Sequence, residues 1–368
     1  MKCDYLVVGS GLTGATMARL LTDAGYRVQV LDRREYAGGN VADHMHESGI
    51  LVGRHGPHYF RTSSDSIWEF VRRFGEFHSY RAIVRTSVAG FLENWPIASG
   101  YIRKTIGKGW KPAFTGVAMN FEEAALSMMP REIYETFVKG YTEKQWGVPA
   151  TTLSAQLCRR FDVREDDDPY LTPQAKYQGI PSAGYSEWMS QMLRGIDIEL
   201  NVNYLKDRRA FQPRNLTIYT GPIDEYFNFS LGRLQYRGQK RKTMHFVDVR
   251  RVQPCGQVNY PDPGDGQKIR TIEWKHMMRR DLAANTRGTV ITEETPYSPT
   301  DPGEYEYPVP DEANEDLYMD YQRLAQQESG VLFCGRLGEY RYYDMDQAIG
   351  RAMMFAKRIL TNRLAEAA

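Results

Sequence analysis

Three glycines near the start of the chain, Gly9, Gly11 and Gly14, form the pattern G-x-G-x-x-G. A β-branched run at residues 4–8 precedes them and a helical pattern at residues 12–24 follows, so the motif stands where a strand turns into a helix. There the first glycine permits the turn, the second lets backbone approach a pyrophosphate, and the third lets the helix pack on the strand. The start of such a helix favours the negative charge of phosphates.

The second strand of this unit is predicted at residues 27–31 and ends at Asp32, where a carboxylate accepts hydrogen bonds from a dinucleotide ribose. Gly38, Gly39 and Asn40 add a second glycine turn, as in flavin enzymes of the amine-oxidase type, which favours FAD over NAD. The alternatives are a glycine turn in an unrelated α/β protein and a plain surface turn. The residues predicted here to contact FAD are Gly9, Gly11, Leu12, Thr13, Gly14, Asp32, Arg33, Gly39 and Asn40.

The size and charge of the chain indicate a small-molecule partner. A length of 368 residues exceeds one ordinary domain, so two or three packed units are expected. The formal charge of +1 gives no broad field for nucleic acid or an anionic membrane, and neither is predicted as a partner. The basic residues Arg237, Lys240, Arg241 and Lys242 are interpreted as a solvated turn within a hairpin.

The cysteines and apolar runs bear on metal binding and location. The four cysteines form no C-x-x-C pair, so neither a zinc site nor a disulfide framework is predicted. No other metal site is expected, because the acidic run at residues 165–168 lacks the spacing of a calcium loop. No apolar run approaches the ~18 residues that span a bilayer, and the start of the chain lacks a signal-peptide pattern. A cytoplasmic protein is therefore expected.

The rest of the chain completes a three-part fold. Residues 121–145 show helical spacing, residues 226–307 show short alternating runs typical of antiparallel sheet, and a strand and helix at residues 331–360 return to the first pattern. The predicted class is α/β, with a Rossmann-type FAD-binding domain, an inserted helical domain and an antiparallel β-sheet domain. The predicted ranges are 1–75, 195–225 and 328–368 for FAD binding, 100–194 for the helical domain with a mobile substrate lid, and 76–99 and 226–327 for the sheet.

Polar residues gather in two loop segments. His55, His58 and Arg61 lie in a stretch interrupted by glycines and proline, where they would line the flavin pocket or, alternatively, serve packing. Arg160 precedes the acidic run at residues 165–168. We interpret this second stretch as a mobile lid that brings a guanidinium to a diphosphate, with a solvated charged loop as the alternative.

Aromatic residues gather at two further places. Tyr141 and Trp146 end the helical insert, where they would stack on a nucleotide or pack in the core. Tyr342 and Asp344 precede a helix that begins near Met345. The N-terminus of that helix is predicted to face the pyrimidine edge of the flavin and to stabilise negative charge on its reduced form.

Together these segments resemble the UDP-galactopyranose mutases over almost the whole chain. The segments that carry the resemblance, in the family's order, are GSGLTGA, GGN, GPHYF, YTEKQW, YQGIP, GYSEW, YTGPIDEYF and GRLGEYRYYDM. The resemblance implies an isomerase in which N5 of reduced FAD attacks the anomeric carbon of UDP-galactopyranose and displaces the diphosphate. The sugar recloses as a five-membered ring, UDP-galactofuranose, without net redox. Such a product serves cell-surface polysaccharide biosynthesis.

The resemblance also implies roles for individual residues. Arg160 and Arg270 would neutralise the diphosphate, while His58 and Arg336 would lie at the flavin. Tyr342 and Asp344 are expected at both flavin and substrate. The implied substrate-binding residues are Tyr141, Trp146, Arg160, Tyr170, Arg270, Tyr307, Tyr342 and Asp344. A homodimer is also implied, with NAD(P)H or a reduced flavin system as the reductant.

Three positions depart from the family pattern. Arg61 stands where a second histidine is usual, and its longer fork would reach an N-acetyl carbonyl or a carboxylate that galactose lacks. Asp346 replaces another histidine, and Asp32 replaces a glutamate of the same charge. The alternatives are a mutase for a different NDP-sugar, an amine-oxidase-like FAD oxidoreductase, and a sugar-nucleotide binder without activity.

Overall fold

The computed structural model describes residues 3–161 and 163–367, except for the side chains of residues 159, 160 and 362–367. The strands, in chain order, are β1 (Tyr5–Val8), β2 (Val28–Leu31), β3 (Asp43–Met45), β4 (Leu51–Gly53), β5 (Phe60–Thr62), β6 (Phe77–Ser79), β7 (Val84–Val88), β8 (Phe91–Trp95), β9 (Ile97–Ala98), β10 (Val163–Arg164), β11 (Tyr177–Pro181), β12 (Asp197–Glu199), β13 (Leu216–Tyr219), β14 (Tyr236–Phe246), β15 (Gln257–Asn259), β16 (Arg270–Glu273), β17 (Thr289–Tyr297), β18 (Tyr307–Pro308) and β19 (Val331–Phe333). The α-helices are α1 (Leu12–Asp23), α2 (Asp65–Arg72), α3 (Ser99–Thr105), α4 (Phe121–Leu126), α5 (Arg131–Ile133), α6 (Gly140–Trp146), α7 (Tyr185–Met192), α8 (Ile223–Tyr226), α9 (Arg280–Asn285), α10 (Glu312–Ala325), α11 (Gly335–Gly338) and α12 (Met345–Ala367).

A parallel sheet of five strands forms the first layer, in the order β12-β2-β1-β13-β19. Its central strand β1 pairs in parallel with β2 and with β13, and its apolar side chains are buried. Helix α1 returns the chain from β1 to β2 and packs against α7 and α12. The β1-α1-β2 unit, and the late return of β19 and α12 to the same sheet and helix layer, confirm the Rossmann-type prediction.

The third motif glycine shows why this turn needs its sequence. A Cβ at Gly14 would lie 1.9 Å from the carbonyl oxygen of Gly9, so any side chain would push α1 away from β1. Close packing of this helix on its strand therefore depends on Gly14.

The second layer is a seven-stranded sheet in the order β18-β14-β17-β16-β15-β7-β8. Its strand pairs are antiparallel except for β15 with β7, which run parallel. The antiparallel prediction is confirmed, with this one pair as the exception. The long pairing of β14 with β17 places Arg241 opposite Glu294, across the centre of the sheet.

The interpretation of Arg237, Lys240, Arg241 and Lys242 as a turn is wrong, because all four lie inside β14. Lys240 and Lys242 are exposed, as predicted, whereas Arg237 is buried, with its Nε donating to the carbonyl oxygen of Gln145 at 2.7 Å. The two arginines were misread because their partners come from distant segments, which local charge patterns do not show.

The helical region holds its own core. Helices α3 to α6 and a π-helix at Tyr134–Lys139 enclose a cluster of apolar side chains, as the helical spacing predicted. The acidic run beside it is anchored by cations: Glu165 accepts from Arg103 at 3.1 Å, and Asp168 lies 3.9 Å from Arg81. Among the described helices, none combines the length and apolarity that crossing a bilayer requires.

A buried acid, Asp224, lies in α8, which follows the parallel strand β13. One carboxylate oxygen accepts from the backbone N–H of Leu234 at 3.1 Å, and within the described residues the other has no hydrogen-bond partner. Burial raises the pKa of Asp224 to about 6. The protonated form is therefore favoured in the folded chain relative to the unfolded chain.

Replacing Asp224 by Asn should stabilise the protein at neutral and alkaline pH. The pKa of Asp224 in the folded chain is higher than its ordinary value of 3.8. In the wild type the protonated acid therefore contributes its full stabilisation below pH 3.8, and this contribution is lost as pH rises through about 6. At pH 8 the Asp224→Asn variant should gain up to ~3 kcal/mol in free energy of unfolding over the wild type, and the gain should shrink toward pH 4. Urea titrations at pH 4.5 and pH 8 measure this difference.

The matched control is Asp316→Asn, because Asp316 is an exposed acid on α10. Its free energy of unfolding should track the wild type at both pH values. A difference between Asp224→Asn and the wild type that stays constant with pH would contradict the raised pKa.

Candidate functional site

A cleft lies at the carboxyl ends of the five parallel strands. Residues that follow each strand line it: Gly9 after β1, Asp32 after β2, Asn203 after β12, Thr220 after β13 and Gly335 after β19. Its volume is about 1160 Å³ with the open mouth included. This edge of a parallel sheet is where nucleotides bind, because loops diverge there and helix N-termini present unpaired N–H groups.

The predicted cofactor-binding residues line this cleft, apart from Tyr342 and Asp344. Those at the cleft are Gly9, Gly11, Leu12, Thr13, Gly14, Asp32, Arg33, Gly39, Asn40, His58, Arg336 and Met345. No side chain caps the N-terminus of α1, so the N–H groups of its first turn are available for an anion. The residues therefore fit a bound dinucleotide.

Hydrogen bonds fix the orientation of the Asp32 carboxylate at the end of β2. One oxygen accepts from the N–H and the hydroxyl of Ser10, at 2.7 and 2.6 Å, and the other accepts from the N–H of Arg34 at 2.9 Å. The neighbouring Arg33 instead forms a forked ion pair with Glu225, with contacts of 3.0 and 2.6 Å. The wall of the cleft therefore fixes the orientation of the Asp32 carboxylate, and Glu225 neutralises the charge of Arg33.

His58 presents a neutral ring to the cleft. Burial, and secondly the charge of Arg336, lower its pKa to about 3. Its Nδ1 lies 3.0 Å from the carbonyl oxygen of Gly56, and because a carbonyl only accepts, Nδ1 carries the proton and Nε2 is an acceptor. The ring packs edge-on against Tyr185, with centroids 6.1 Å apart. His58 therefore supplies a fixed acceptor at physiological pH.

Two nearly parallel tyrosine rings lie beside Arg336, which lines the cleft together with His58. The rings of Tyr307 and Tyr342 lie 5.9 Å apart with an interplanar angle of 12°. The guanidinium of Arg336 lies 4.9 Å from the Tyr342 ring and also donates to the carbonyl oxygens of Tyr343 and Glu306, at 2.8 and 3.1 Å. Arg336 thus joins the cleft to the tyrosine pair.

Arg61 and Asp344, both predicted at the substrate, form an ion pair with each other. Nη2 of Arg61 donates to Asp344 at 2.9 Å, and the hydroxyl of Tyr342 donates to the other oxygen at 3.3 Å. Burial, with the charge of Asp344, raises the pKa of the neighbouring Asp346. One terminal nitrogen of Arg61 is therefore already engaged, which sequence reasoning did not foresee.

Two arginines and two glutamates form a buried charge network (Arg241, Arg270, Glu294 and Glu306) inside the second sheet. Nε of Arg270 donates to one oxygen of Glu294, and Nε of Arg241 donates to the other at 2.8 Å. The two terminal nitrogens of Arg241 bind both oxygens of Glu306, at 2.7 and 2.9 Å. The two acids are 0% and 3% exposed, so both need these cations.

Electrostatics hold Arg241, Arg270 and Glu306 of the buried charge network ionised. Burial would raise the pKa of Glu306, but hydrogen bonds from His55 and Arg241 hold it at about 2. Burial would lower the pKa of Arg270, but Glu294 raises it well above its ordinary value. Tyr141 and Tyr307 lie near enough to influence Arg270, so the structure gathers these three predicted substrate residues.

Two predicted substrate residues, Trp146 and Tyr170, make contacts away from Arg270, and a third, Arg160, is not described. Trp146 is 7% exposed and packs in the core of the helical region. The ring of Tyr170 lies under the guanidinium of Arg81, 3.6 Å from its centre. The side chain of Arg160 lies outside the part of the chain that the structure describes. Their roles at the substrate stay predictions.

Several residues of the site were missed by sequence reasoning. The loops at residues 202–205 and 302–303 line the cleft without any motif that would mark them. Arg241, Glu294 and Glu306 were missed as well, although Glu294 follows the β-branched Val290 and Thr292 on one face of β17. A charged residue on a buried strand face is the signal that would have found it.

A separate group of potential metal ligands lies away from the cleft. His46, Glu47 and His245 each offer one ligand atom, and these atoms all lie within 4.8 Å of one another. The two histidine rings meet edge-on, with centroids 5.0 Å apart. The sequence analysis did not single out this group, because the two histidines lie far apart in the chain, and the absence of a metal site stays a prediction.

Comparisons with known proteins relate the chain to one family. Residues 136–342 match the family model described as UDP-galactopyranose mutase, and residues 7–74 match an NAD(P)-binding Rossmann-like domain. A probable UDP-galactopyranose mutase of Klebsiella pneumoniae is 31% identical over 98% of this chain and 95% of the relative. A dTDP-fucopyranose mutase of Escherichia coli is 30% identical over 97% of this chain and 98% of the relative.

A solved structure shows the same fold. The crystal structure of a reduced UDP-galactopyranose mutase superposes with a TM-score of 0.78, covering 98% of this chain and 96% of that chain. Its sequence identity of 14% makes this a statement about the fold alone.

The contact of Gly56 with the buried charge network predicts a stability difference between two glycines. A Cβ at Gly56 would lie 2.6 Å from a carboxylate oxygen of Glu294, whereas one at Gly49 would meet nothing within 4 Å. Both have positive φ, +86° and +78°, so alanine strains the backbone at either position. Gly49→Ala should lower the free energy of unfolding by about 1 kcal/mol, and Gly56→Ala by about 2 to 4 kcal/mol.

Chemical unfolding of the two variants beside the wild type measures the contrast. Gly49→Ala serves as the control because it carries the same backbone strain without the contact. Equal losses in both variants would mean that Glu294 moves aside freely and that the buried charge network is not rigid.

Proposed function

The chain belongs to the UDP-galactopyranose mutase family, and on that premise we propose that it interconverts the pyranose and furanose forms of a UDP-linked sugar with reduced FAD. The observation that carries the proposal is the position of Arg270. Its guanidinium lies against Glu294, within electrostatic range of Tyr141 and Tyr307. A cation within electrostatic range of two tyrosines suits a nucleoside diphosphate on a sugar.

FAD is the cofactor that the cleft fits. The uncapped start of α1 suits the pyrophosphate, and the oriented carboxylate of Asp32 suits the ribose of the adenosine. The start of α12 at Met345 and the neutral ring of His58 line the cleft as well, which supports a place for the isoalloxazine near them. When bound and reduced, the flavin would supply a nucleophilic nitrogen for the anomeric carbon.

The residues of the chain would bind and orient the sugar nucleotide. Arg270 would hold the diphosphate as its bond to the sugar breaks and forms again, with Arg160 as the second cation. The parallel rings of Tyr307 and Tyr342 would cover the site and exclude water. His58, which does not titrate near neutral pH, would accept a hydrogen bond through Nε2 without giving up a proton.

The ion pair of Arg61 with Asp344 supports a sugar other than plain galactose. The pair offers a donor and an acceptor side by side, which suits a substituent such as an N-acetyl group. The Escherichia coli relative is named for dTDP-fucopyranose, so sugar and base vary among relatives of this chain. We include UDP-N-acetylgalactosamine beside UDP-galactose as a candidate substrate for this reason.

The family resemblance supports a homodimer that supplies cell-surface polysaccharide synthesis, with its flavin reduced by NAD(P)H or a reduced flavin system. The sequence pattern supports a cytoplasmic location. It also supports the division into an FAD-binding domain (1–75, 195–225, 328–368), a helical domain with a substrate lid (100–194) and a sheet domain (76–99, 226–327). Metal ions take no part in the proposed reaction.

The central test is furanose formation that depends on reduction. Dithionite-reduced enzyme should convert UDP-galactose or UDP-N-acetylgalactosamine to the furanose form, resolved by HPLC, because only the reduced flavin carries the electron pair that bonds the sugar. The oxidised enzyme is the matched control and should form none. If the reduced enzyme forms no furanose from these two or from a panel of dTDP- and GDP-sugars, the proposal fails.

Replacing Arg61 by His should change the choice of sugar. If Arg61 bonds an N-acetyl carbonyl, Arg61→His should lower the ratio of kcat/KM for UDP-N-acetylgalactosamine over UDP-galactose by about tenfold, the value of one hydrogen bond. Steady-state assays with both substrates measure the ratio. Arg72→His, on the exposed face of α2, is the control and should leave it unchanged. An unchanged ratio in Arg61→His would remove Arg61 from the recognition of the sugar.

A further inference from the structure

The buried charge network divides the two oxygens of Glu294 between two arginines. Arg270 reaches one oxygen through Nε alone, and Arg241 occupies the other from β14 at 2.8 Å. An arginine beside an uncontested carboxylate prefers a forked contact through Nε and a terminal nitrogen, or through both terminal nitrogens. Arg241 therefore denies Arg270 that fork.

Arg241 is itself fixed by Glu306. Both terminal nitrogens of Arg241 contact the carboxylate of Glu306, and Nη1 also donates to the carbonyl oxygen of Gln239 at 3.2 Å. All three nitrogens of this guanidinium are engaged by the protein. Arg241 is therefore placed to hold other residues in position and not to bind substrate.

Glu306 also touches the cofactor side of the site. His55 contacts its carboxylate through Nδ1 at 3.2 Å, and Arg336, which lines the cleft, donates to its backbone carbonyl at 3.1 Å. The other ring nitrogen of His55 lies 2.8 Å from the hydroxyl of Tyr36. Glu306 thus holds Arg241 in a fixed relation to the residues around the cleft.

We infer that Arg241 and Glu306 are positioning residues that keep the two terminal nitrogens of Arg270 directed at the diphosphate. With Arg241 in place, Glu294 takes only Nε of Arg270, and the terminal nitrogens remain for the ligand. Without Arg241, Arg270 forks onto both oxygens of Glu294 and turns away from the ligand. The role assigned to Arg270 rests on the proposed function.

The charges of the buried charge network allow a test that separates position from stability. Arg241→Met leaves two buried carboxylates with one guanidinium, so it should unfold more easily for that reason alone. The double variant Arg241→Met, Glu306→Gln restores the balance of one acid to one arginine. Its melting temperature should return toward the wild type, whereas its affinity for UDP should not.

The readout is the Kd of UDP, measured on the reduced and the oxidised holoenzyme from the change in flavin absorbance. The double variant should bind UDP at least about tenfold more weakly than the wild type, which is the loss of one charge-assisted hydrogen bond. Lys242→Met, an exposed neighbour on β14, is the control and should bind as the wild type does. A double variant that binds UDP as tightly as the wild type overturns the inference.

Two further variants cover the remaining outcomes. In an Arg270→Ala background the double change should weaken UDP binding no further, because it acts through Arg270, and an additive loss overturns the inference. If the double variant does not fold, Arg241→Lys keeps the charge but reaches only one carboxylate, and it should still weaken UDP binding. An Arg241→Lys protein with wild-type affinity overturns the inference as well.

The outcomes also separate this inference from the proposed function. UDP binding needs no turnover, so weakened binding in the double variant together with no furanose from the wild type would sink the mutase proposal and leave the positioning role standing. Furanose formation by the wild type, together with unchanged UDP affinity in the double variant, would support the mutase proposal and overturn the positioning role.

Discussion

The burial of two carboxylates inside the second sheet is the constraint on which the site depends. Glu294 and Glu306 are almost completely removed from water, and an ion in that position needs a fixed partner of opposite charge. Arg241 serves both acids, and Arg270 serves one of them. A balanced buried network adds little net stability over apolar packing of the same volume. Its consequence is therefore geometric, since it holds long side chains in one conformation.

The same network connects the two sheets. The backbone of Glu306 accepts from Arg336, and Gly56 packs on the carboxylate of Glu294. Arg34, just after β2, donates to the carbonyl oxygen of Gly303 at 3.0 Å, in the loop that leaves β17. Segments from both layers thus share polar partners near the cleft. These contacts, made by segments between the strands, tie the cleft of the first sheet to the buried charge network of the second.

The parts of the molecule that the sequence predicted are those with local causes. The β1-α1-β2 unit follows from a glycine motif and two apolar runs, and the helical region follows from spacing within one segment. Arg241 of β14 was misread because its partners, Glu294 and Glu306, come from distant segments of the chain. The pairing of Arg61 with Asp344 was missed for the same reason, although both residues had been singled out separately.

Trp146 and Tyr170 illustrate the limit of family motifs in another way. A motif assigns a residue type to a position, but the exposure of its side chain depends on how neighbouring segments pack. Trp146 is enclosed by the helical core, and Tyr170 lies under Arg81, so each ring makes contacts that the motif alone does not contain. Arg270 differs because the strand that carries it fixes both its position and its partner.

The hydrogen bonds of the site indicate which cationic donors an anion would meet. Among the described residues these include Arg336 of the cleft, which donates to carbonyl oxygens and forms no ion pair, and Arg270 of the buried charge network. His58 is neutral, Arg33 is matched by Glu225, Arg61 is matched by Asp344, and the buried charge network pairs two acids with two arginines. Only Nε of Arg270 is taken up by that pairing, so its terminal nitrogens keep their capacity to donate. A diphosphate bound at Arg270, as we propose, would find a donor group already ionised and oriented.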